Sequence, residues 1–323
     1  MKRRTLLCVL VFALAGMASP ASAQQPKVPV VGMLISHTTA DDPVFESFRA
    51  GLREYGYEEG RNIKLEIVTA DGQLDRLPDL AQQLVRQNVD VIIAPHEVSA
   101  RAALTATTTI PIVLAGFGAD PVALSLVDSV RRPGGNLTGM FALAAGLDGK
   151  RLEILKEAVP DLSRVAILWD PAFNKGQLGE VQSSSRSLGV RLELIEIRKP
   201  QDLEGAFKSA KQKKVGAVML LASPIFWTQR NQVAALALGV RLPSVSPDHY
   251  IAAAGILMSY GTDSSGNWRR AAYYVDRLLK GVKPSDLPVE QVYPKLAVNL
   301  KTAKALGITV PESILLRADQ VTR

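Results

Sequence analysis

A strand–loop–helix pattern occurs twice along this chain of 323 residues, and the two halves repeat it in the same order. Short apolar runs rich in Val and Ile alternate with segments whose apolar residues recur every three to four positions. Strands that alternate with helices in this way form parallel sheets with helices on both faces. The repeat therefore predicts an α/β protein with two doubly wound parallel-sheet lobes.

The strand-like runs can be read directly from the sequence. Those of the first half read VPVVGMLI, IKLEIV, VDVIIA and IPIVLAG. Those of the second half read RVAILWD, VRLELIEI, AVMLLAS and LPSVSP. The first, third and fourth runs of the first half lack polar alternation, which predicts strands that are buried on both faces.

Residues 132–139, RPGGNLTG, interrupt the pattern near the middle of the chain. A helix-like run at 120–131 precedes them, and the strand-like NLTGM follows. Their position between the two halves predicts a crossover from one lobe to the other. An ordinary surface turn is the alternative, because a single Gly-Gly pair is common in turns.

Two further crossovers are predicted where glycine or proline interrupts the tail. Lobe 1 then comprises 27–135 plus 256–286, and lobe 2 comprises 140–254 plus 290–323. The three hinge crossovers lie near 134–139, 254–256 and 284–290. Two lobes joined by three segments form a clamshell that can close around a ligand.

The N-terminal residues have the three parts of a secretory signal peptide. A basic start is followed by the apolar run 6–18, which is too short to span a bilayer, and by the small residues 21–23. Export to a periplasm with cleavage after Ala23 is predicted. The remaining residues contain no cysteine, since Cys8 is the only one, which excludes disulfides and thiol nucleophiles from the mature protein.

Net charge gives no reason to expect a nucleic-acid partner. Residues 1–23 hold three basic and no acidic residues, so their removal lowers the formal charge from +7 to +4. That excess is small and evenly spread, unlike the clustered basic surfaces that bind nucleic acid.

Stretches in both halves and the tail together resemble one known family. They are DGQLDRLPDLAQQLVRQNVDVIIA, TTIPIVLAGFGADPV, RPGGNLTG, KRLEILKEAVP, GILMSYG, RRAAYYVDRLLKGVKPSDLPVEQ and NLKTAKALGI. In this order the chain resembles the tryptophan/tyrosine-type solute-binding proteins of ABC transporters. The resemblance implies a type I periplasmic-binding fold and a receptor that closes on a small solute and delivers it to a membrane permease with its ATPase. Loops at 94–101, 118–121 and 170–171 depart from the family pattern, and these are loops that the resemblance implies touch the ligand.

Ligands of doubly wound sheets bind beyond the carboxyl ends of the strands, where helix N-termini present free N–H groups. This rule selects eleven candidate ligand-binding residues: Ser36, His37, His96, Ser99, Phe117, Asp120, Asp170, Asn174, Ser223, Phe226 and Asp248.

Each candidate has a structural alternative. The serines can cap helices or donate to a ligand carboxylate, and the aspartates can cap helices or pair with an ammonium group. The phenylalanines can line the site or pack at the edge of the core. The expected solute is a small carboxylate, first an aromatic or branched amino acid and second an aromatic acid. If Ser99 meets that carboxylate, its replacement by Ala weakens binding by roughly 1–3 kcal/mol.

Neither a metal, a cofactor nor catalysis is predicted. The three histidines lack a local spacing such as H-x-x-x-H. The stretch GFGADP lacks the third glycine of the dinucleotide fingerprint, and no P-loop or G-x-S-x-G motif occurs. A monomeric solute receptor is expected, and an exported enzyme or a ligand sensor with the same fold remains the alternative.

Overall fold

The computed structural model describes residues 27–37, 42, 44–116, 120–142, 146–174 and 176–323. The predicted signal peptide, residues 1–23, lies outside these ranges. In them the strands are β1 Val30–Ile35, β2 Lys64–Thr69, β3 Val91–Ala94, β4 Ile112–Ala115, β5 Leu137–Ala142, β6 Arg164–Trp169, β7 Arg191–Glu196, β8 Ala217–Leu220, β9 Ser244–Asp248, β10 Met258–Thr262, β11 Glu290–Val292, β12 Lys295–Asn299 and β13 Gln320–Thr322.

Helices connect most of these strands. They are α1 Val44–Glu54, α2 Leu77–Arg86, α3 Glu97–Ala106, α4 Leu147–Ala158, α5 Leu178–Leu188, α6 Asp202–Gln212, α7 Pro224–Thr228, α8 Arg230–Gly239, α9 His249–Ala253, α10 Ser264–Leu279, α11 Leu300–Leu306 and α12 Glu312–Arg317. Two short 3₁₀ turns occupy Leu74–Arg76 and Pro284–Asp286.

The strands form two sheets, as the repeated pattern predicts. The first has the order β11-β5-β4-β3-β1-β2 and is parallel throughout. The second has the order β13-β12-β10-β9-β8-β6-β7 and is parallel except where β12 runs antiparallel to β10. The fold class is therefore confirmed: two doubly wound lobes joined by three crossovers.

Strand pairing shows that all three crossovers lie at positions other than those predicted. Strand β5 pairs with β4, so the chain leaves the first lobe only after β5 ends at Ala142. Strand β10 pairs with β9 in the second sheet, so the chain returns at 262–264 instead of near 254–256. The last crossover joins β11 to β12 at 292–295. Residues 136–142 thus belong to lobe 1 and 256–262 to lobe 2, because strand pairing decides membership.

RPGGNLTG lies within lobe 1, where 132–136 form a turn and 137–139 begin β5, so its assignment as a crossover was wrong. The main chain of Asp128 donates to the carbonyl of Pro133 across this turn, and Gly134 takes a φ of 88°. The preceding run at 120–131 forms turns rather than the helix its composition suggested. Ser125 there has a φ of 55°, which a right-handed helix does not allow.

Each sheet packs between two layers of helices. Strands β1, β3 and β4 are buried on both faces, as predicted from their unbroken apolar runs. Helix α10 follows β10 of lobe 2 but packs on lobe 1, where its Trp268, Tyr274 and Val275 join the core around Phe45 and Phe48. The chain therefore changes lobe immediately before α10.

Gly139 allows β5 to approach β4 closely. Its φ is 121°, and a Cβ atom there would lie 2.2 Å from the carbonyl oxygen of Leu114. We expect Gly139→Ala to destabilise the protein by roughly 2 kcal/mol or more, because backbone would have to move. Gly135→Ala is the matched control, since a Cβ at Gly135 meets nothing within 4 Å. Chemical unfolding of both variants checks this, and equal stabilities would contradict it.

Candidate functional site

A cavity of about 310 Å³ lies between the two lobes. Its walls come from the carboxyl ends of strands in both sheets and from the helices that follow them. The lining residues are Ile35, His37, Val44, Pro95, His96, Phe173, Ala222, Ser223, Pro224, Trp227, Pro247, Asp248, Ile251, Thr262 and Trp268. Most of this wall is apolar, with a few polar groups that converge on it, as in small-molecule sites generally.

Side chains from the two lobes touch directly beside the cavity. Trp227 of α7 donates its Nε1–H to Oδ2 of Asp42 in lobe 1, at 2.8 Å. Tyr250 of α9 shares a hydrogen bond of 3.3 Å with Ser47 of α1. The rings of Trp227 and Tyr250 also pack against the core of lobe 1. The lobes are therefore in contact in this conformation.

Asp248 contributes a carboxylate to the cavity wall. It ends β9 and caps α9, where Oδ1 accepts from the main chain of Tyr250 at 2.7 Å and Oδ2 accepts from the hydroxyl of Ser264 at 2.6 Å. Burial raises the pKa of Asp248 to about 7, and the nearby carboxylates of Asp263 and Asp42 also raise it. No cation of the described residues forms a salt bridge with it.

Two imidazoles face the cavity from lobe 1. His37 follows β1 and His96 follows β3, and their ring centroids are 6.0 Å apart. Between them lies the buried hydroxyl of Ser36, 2.7 Å from Nδ1 of His37 and 3.3 Å from Nδ1 of His96. Burial lowers the pKa of His37, and burial together with His37 lowers the pKa of His96 to about 4. Both rings are therefore neutral at physiological pH.

Helix α3 begins at the cavity. Its N-cap is His96, whose side chain makes no capping hydrogen bond, so the N–H groups of the first turn lack a side-chain acceptor there. A helix start of this kind favours an anionic ligand group.

The cavity brings together four of the eleven predicted residues: His37, His96, Ser223 and Asp248. Ser36 lies directly behind the two imidazoles. Phe117 falls outside the described residues. The other five are not in the cavity wall: Ser99, Asp120, Asp170, Asn174 and Phe226.

Asp170 and Asn174 form a hydrogen-bonded network that supports the wall from behind. Asp170 accepts from the main chain of Ala172 and from the hydroxyl of Ser223, and Asn174 donates to the carbonyl of Ala222. Ser223 also caps α7 by accepting from Ile225, as its sequence position predicted. These side chains are satisfied within the protein, and their predicted contact with a solute stays a prediction.

Four further residues require correction. Phe226 is fully buried in a core of lobe 2, because the turn of α7 directs its neighbour Trp227 towards the cavity instead. Ser36 bonds to imidazoles and Ser99 lies inside α3, so neither caps a helix. Asp120 accepts from the main chain of Val122, but no helix follows it.

Sequence reasoning missed the two tryptophans of the wall. Trp227 lies next to Phe226 in the loop region that the strand-end rule selected, so the signal was present and the wrong aromatic was chosen. Trp268 lies on α10, and no local sequence pattern could place that helix at the cleft before the crossover was known.

Neither a metal-binding cluster nor a membrane-spanning helix is found among the described residues. No three His, Cys, Asp or Glu side chains there are arranged to hold a metal ion. Within the same ranges, every helix is too short or too polar to cross a membrane.

Comparison with known proteins gives one consistent result. Residues 27–322 match the family model described as ABC transporter substrate binding protein. A tyrosine-binding protein of Clostridioides difficile is 25% identical over 282 residues, which are 86% of this chain and 80% of the relative.

Solved structures show the same architecture. A conserved domain protein from Vibrio cholerae has a TM-score of 0.73 at 27% identity, covering 92% of this chain and all of the other. An ABC domain from Streptococcus pneumoniae in complex with L-Trp has a TM-score of 0.72 at 23% identity, covering 91% of this chain and 99% of the other. The type I periplasmic-binding fold is thereby confirmed.

Proposed function

The chain belongs to the family of ABC transporter substrate-binding proteins. We propose on this basis that its solute is an amino acid with an aromatic or branched side chain. The interlobe cavity is the binding site. The loaded protein delivers its solute to a membrane permease, after export and cleavage of the signal peptide behind Ala23.

One observation carries this proposal: the Asp248 carboxylate faces an apolar cavity without a cationic partner among the described residues. A buried charge of this kind is costly until a counter-charge arrives. The ammonium group of an amino acid supplies that charge and can hydrogen-bond to the carboxylate.

The opposite wall suits the other parts of an amino acid. The start of α3 at His96, where the side chain at the N-cap makes no capping hydrogen bond, offers main-chain N–H groups to a carboxylate. Trp227, Phe173 and Trp268 offer flat apolar surfaces to a side chain. The names of the tyrosine-binding relative and of the complex with L-Trp point to the same class of solute.

An aromatic acid without an amino group is the second candidate. With a pKa of about 7, Asp248 can also remain protonated and donate a hydrogen bond to a carboxylate. The two candidates differ in pH dependence. Binding of an amino acid strengthens as pH rises through 7, because Asp248 must ionise, whereas binding of an aromatic acid weakens over the same range.

Thermal unfolding in the presence of candidate solutes tests the proposal. We expect L-tyrosine, L-tryptophan or L-leucine to raise the melting temperature more at pH 8 than at pH 6, because a ligand stabilises the state that binds it. Benzoate and 3-(4-hydroxyphenyl)propionate test the second candidate, and glucose is the neutral control. Stabilisation by sugars alone would contradict both candidates.

A further inference from the structure

The hydroxyl of Ser36 has a restricted choice of acceptors. Ser36 is fully buried, and its Oγ is bonded to Nδ1 of His37 and Nδ1 of His96. A hydroxyl has one proton to donate, and a buried hydroxyl rarely leaves it unbonded. One of the two imidazoles must therefore accept at Nδ1.

The distances indicate which ring accepts. The contact to His37 is 2.7 Å, which is typical of an O–H donor, whereas the contact to His96 is 3.3 Å. Ser36 therefore donates to Nδ1 of His37 and can accept from Nδ1–H of His96. Because a neutral imidazole carries one proton, the proton of His37 resides on Nε2.

The Nε2 atom of His37 has no hydrogen-bond partner among the described residues. It is buried and makes no hydrogen bond to the described part of the chain, and its ring lines the cavity. A buried N–H donor without an acceptor is costly, which makes it a binding group for a solute atom that can accept.

We infer that Ser36 fixes the Nε2–H tautomer of His37, and that this N–H binds an acceptor oxygen of the solute. Ser36 is a positioning residue and His37 is the contact. The assignment of that oxygen to a carboxylate rests on the proposed function, whereas the tautomer itself does not. Burial lowers the pKa of His37, so the ring donates while it is neutral.

The neighbouring groups fit this role. The start of α3, whose N-cap position is His96, lies beside His37, so a carboxylate there would meet helix N–H groups and the imidazole N–H together. Phe173 of lobe 2 holds the His37 ring from the other side of the cleft, with centroids 5.2 Å apart. The ring contacts with His96 and Phe173 limit rotation of the His37 ring and preserve the direction of Nε2.

Nuclear magnetic resonance of the full chain with ¹⁵N-labelled histidine tests the tautomer without a ligand. The sequence has three histidines, so the loss of signals in His37→Phe assigns His37, and His249 outside the cavity wall serves as the internal reference. We expect His37 to be protonated at Nε2 and unprotonated at Nδ1. Ser36→Ala should mix the two tautomers, and Ser36→Thr should restore the native one. A His37 protonated at Nδ1, or one unaffected by Ser36→Ala, would overturn the inference.

Calorimetric titration tests the contact. For L-tyrosine and L-tryptophan we expect His37→Phe to weaken binding by about 10- to 100-fold, because a hydrogen bond to a charged acceptor is lost while an aromatic ring remains at this position. Tyramine and tryptamine lack the carboxylate and should bind the two proteins within about threefold of each other. Equal losses of affinity for the amino acids and for the amines would refute the contact between His37 and the carboxylate. If neither amino acid binds the native protein, the proposed function fails and the resonance spectra still decide the tautomer.

Discussion

Asp248→Asn is expected to weaken binding of an amino acid by roughly 100-fold or more, because a buried ammonium group would lose the counter-charge in the cavity wall. The variant keeps the size of the side chain and its ability to cap α9. Titration of native and variant protein with L-tyrosine and L-tryptophan at pH 8 measures the effect.

The same variant should stabilise the protein without ligand. Burial raises the pKa of Asp248 from 3.8 to about 7, so the folded state holds this proton more tightly than the unfolded state. Native stability therefore falls as pH rises from about 4 to about 7, and the loss is complete above that range. We expect Asp248→Asn to gain about 2–4 kcal/mol at pH 8 and little at pH 4.

Asp170→Asn is the matched control for both effects. Asp170 also accepts from one main-chain N–H and one serine hydroxyl, yet it is not in the cavity wall. We expect it to change affinity by less than about threefold, since an indirect support of the wall is altered and no charge pair is lost. An equal loss of affinity in both variants would contradict the role of Asp248.

Trp227→Ala is expected to reduce affinity by about 100-fold. Trp227 forms part of the cavity wall and also joins the lobes through Asp42, and buried aromatic anchors contribute 2 kcal/mol or more at binding sites. Trp227→Phe keeps an aromatic wall and loses the hydrogen bond to Asp42 and part of the ring surface, so we expect a loss of about tenfold.

Comparison of the two Trp227 variants separates the contribution of the aromatic surface from that of the hydrogen bond to Asp42. Titration with L-tryptophan and thermal unfolding without ligand should be measured together, because a destabilised lobe would also lower affinity. An Ala variant that binds within threefold of the native protein would contradict the place of Trp227 in the site.

Local sequence patterns predicted much of the fold. Unbroken apolar runs identified β3 and β4 as buried strands, and the carboxyl-end rule led from them to His96 and from β9 to Asp248. Those inferences succeed because strand burial and chain direction are encoded within a few residues.

Features that depend on long-range packing could not be predicted in the same way. Strands β5 and β10 have ordinary strand sequences, and only pairing with β4 and β9 shows which lobe holds them. The phase of α7 likewise determines that Trp227 reaches the cavity while Phe226 enters a core. Neither the lobe that holds these strands nor the phase of α7 can be predicted without the elements that they pack against.

The most direct test of the account is calorimetric titration of the protein with L-tyrosine and L-tryptophan at pH 6, in buffers of different ionisation enthalpy. Asp248 is mostly protonated there, since its pKa is about 7. We expect at least one of these amino acids to bind and to release most of a proton, because the carboxylate must ionise to meet the ammonium group. The release should vanish in Asp248→Asn. Binding of the amino acid without proton release, or tighter binding of 3-(4-hydroxyphenyl)propionate, which needs no ionisation of Asp248, would contradict an amino-acid site built on Asp248.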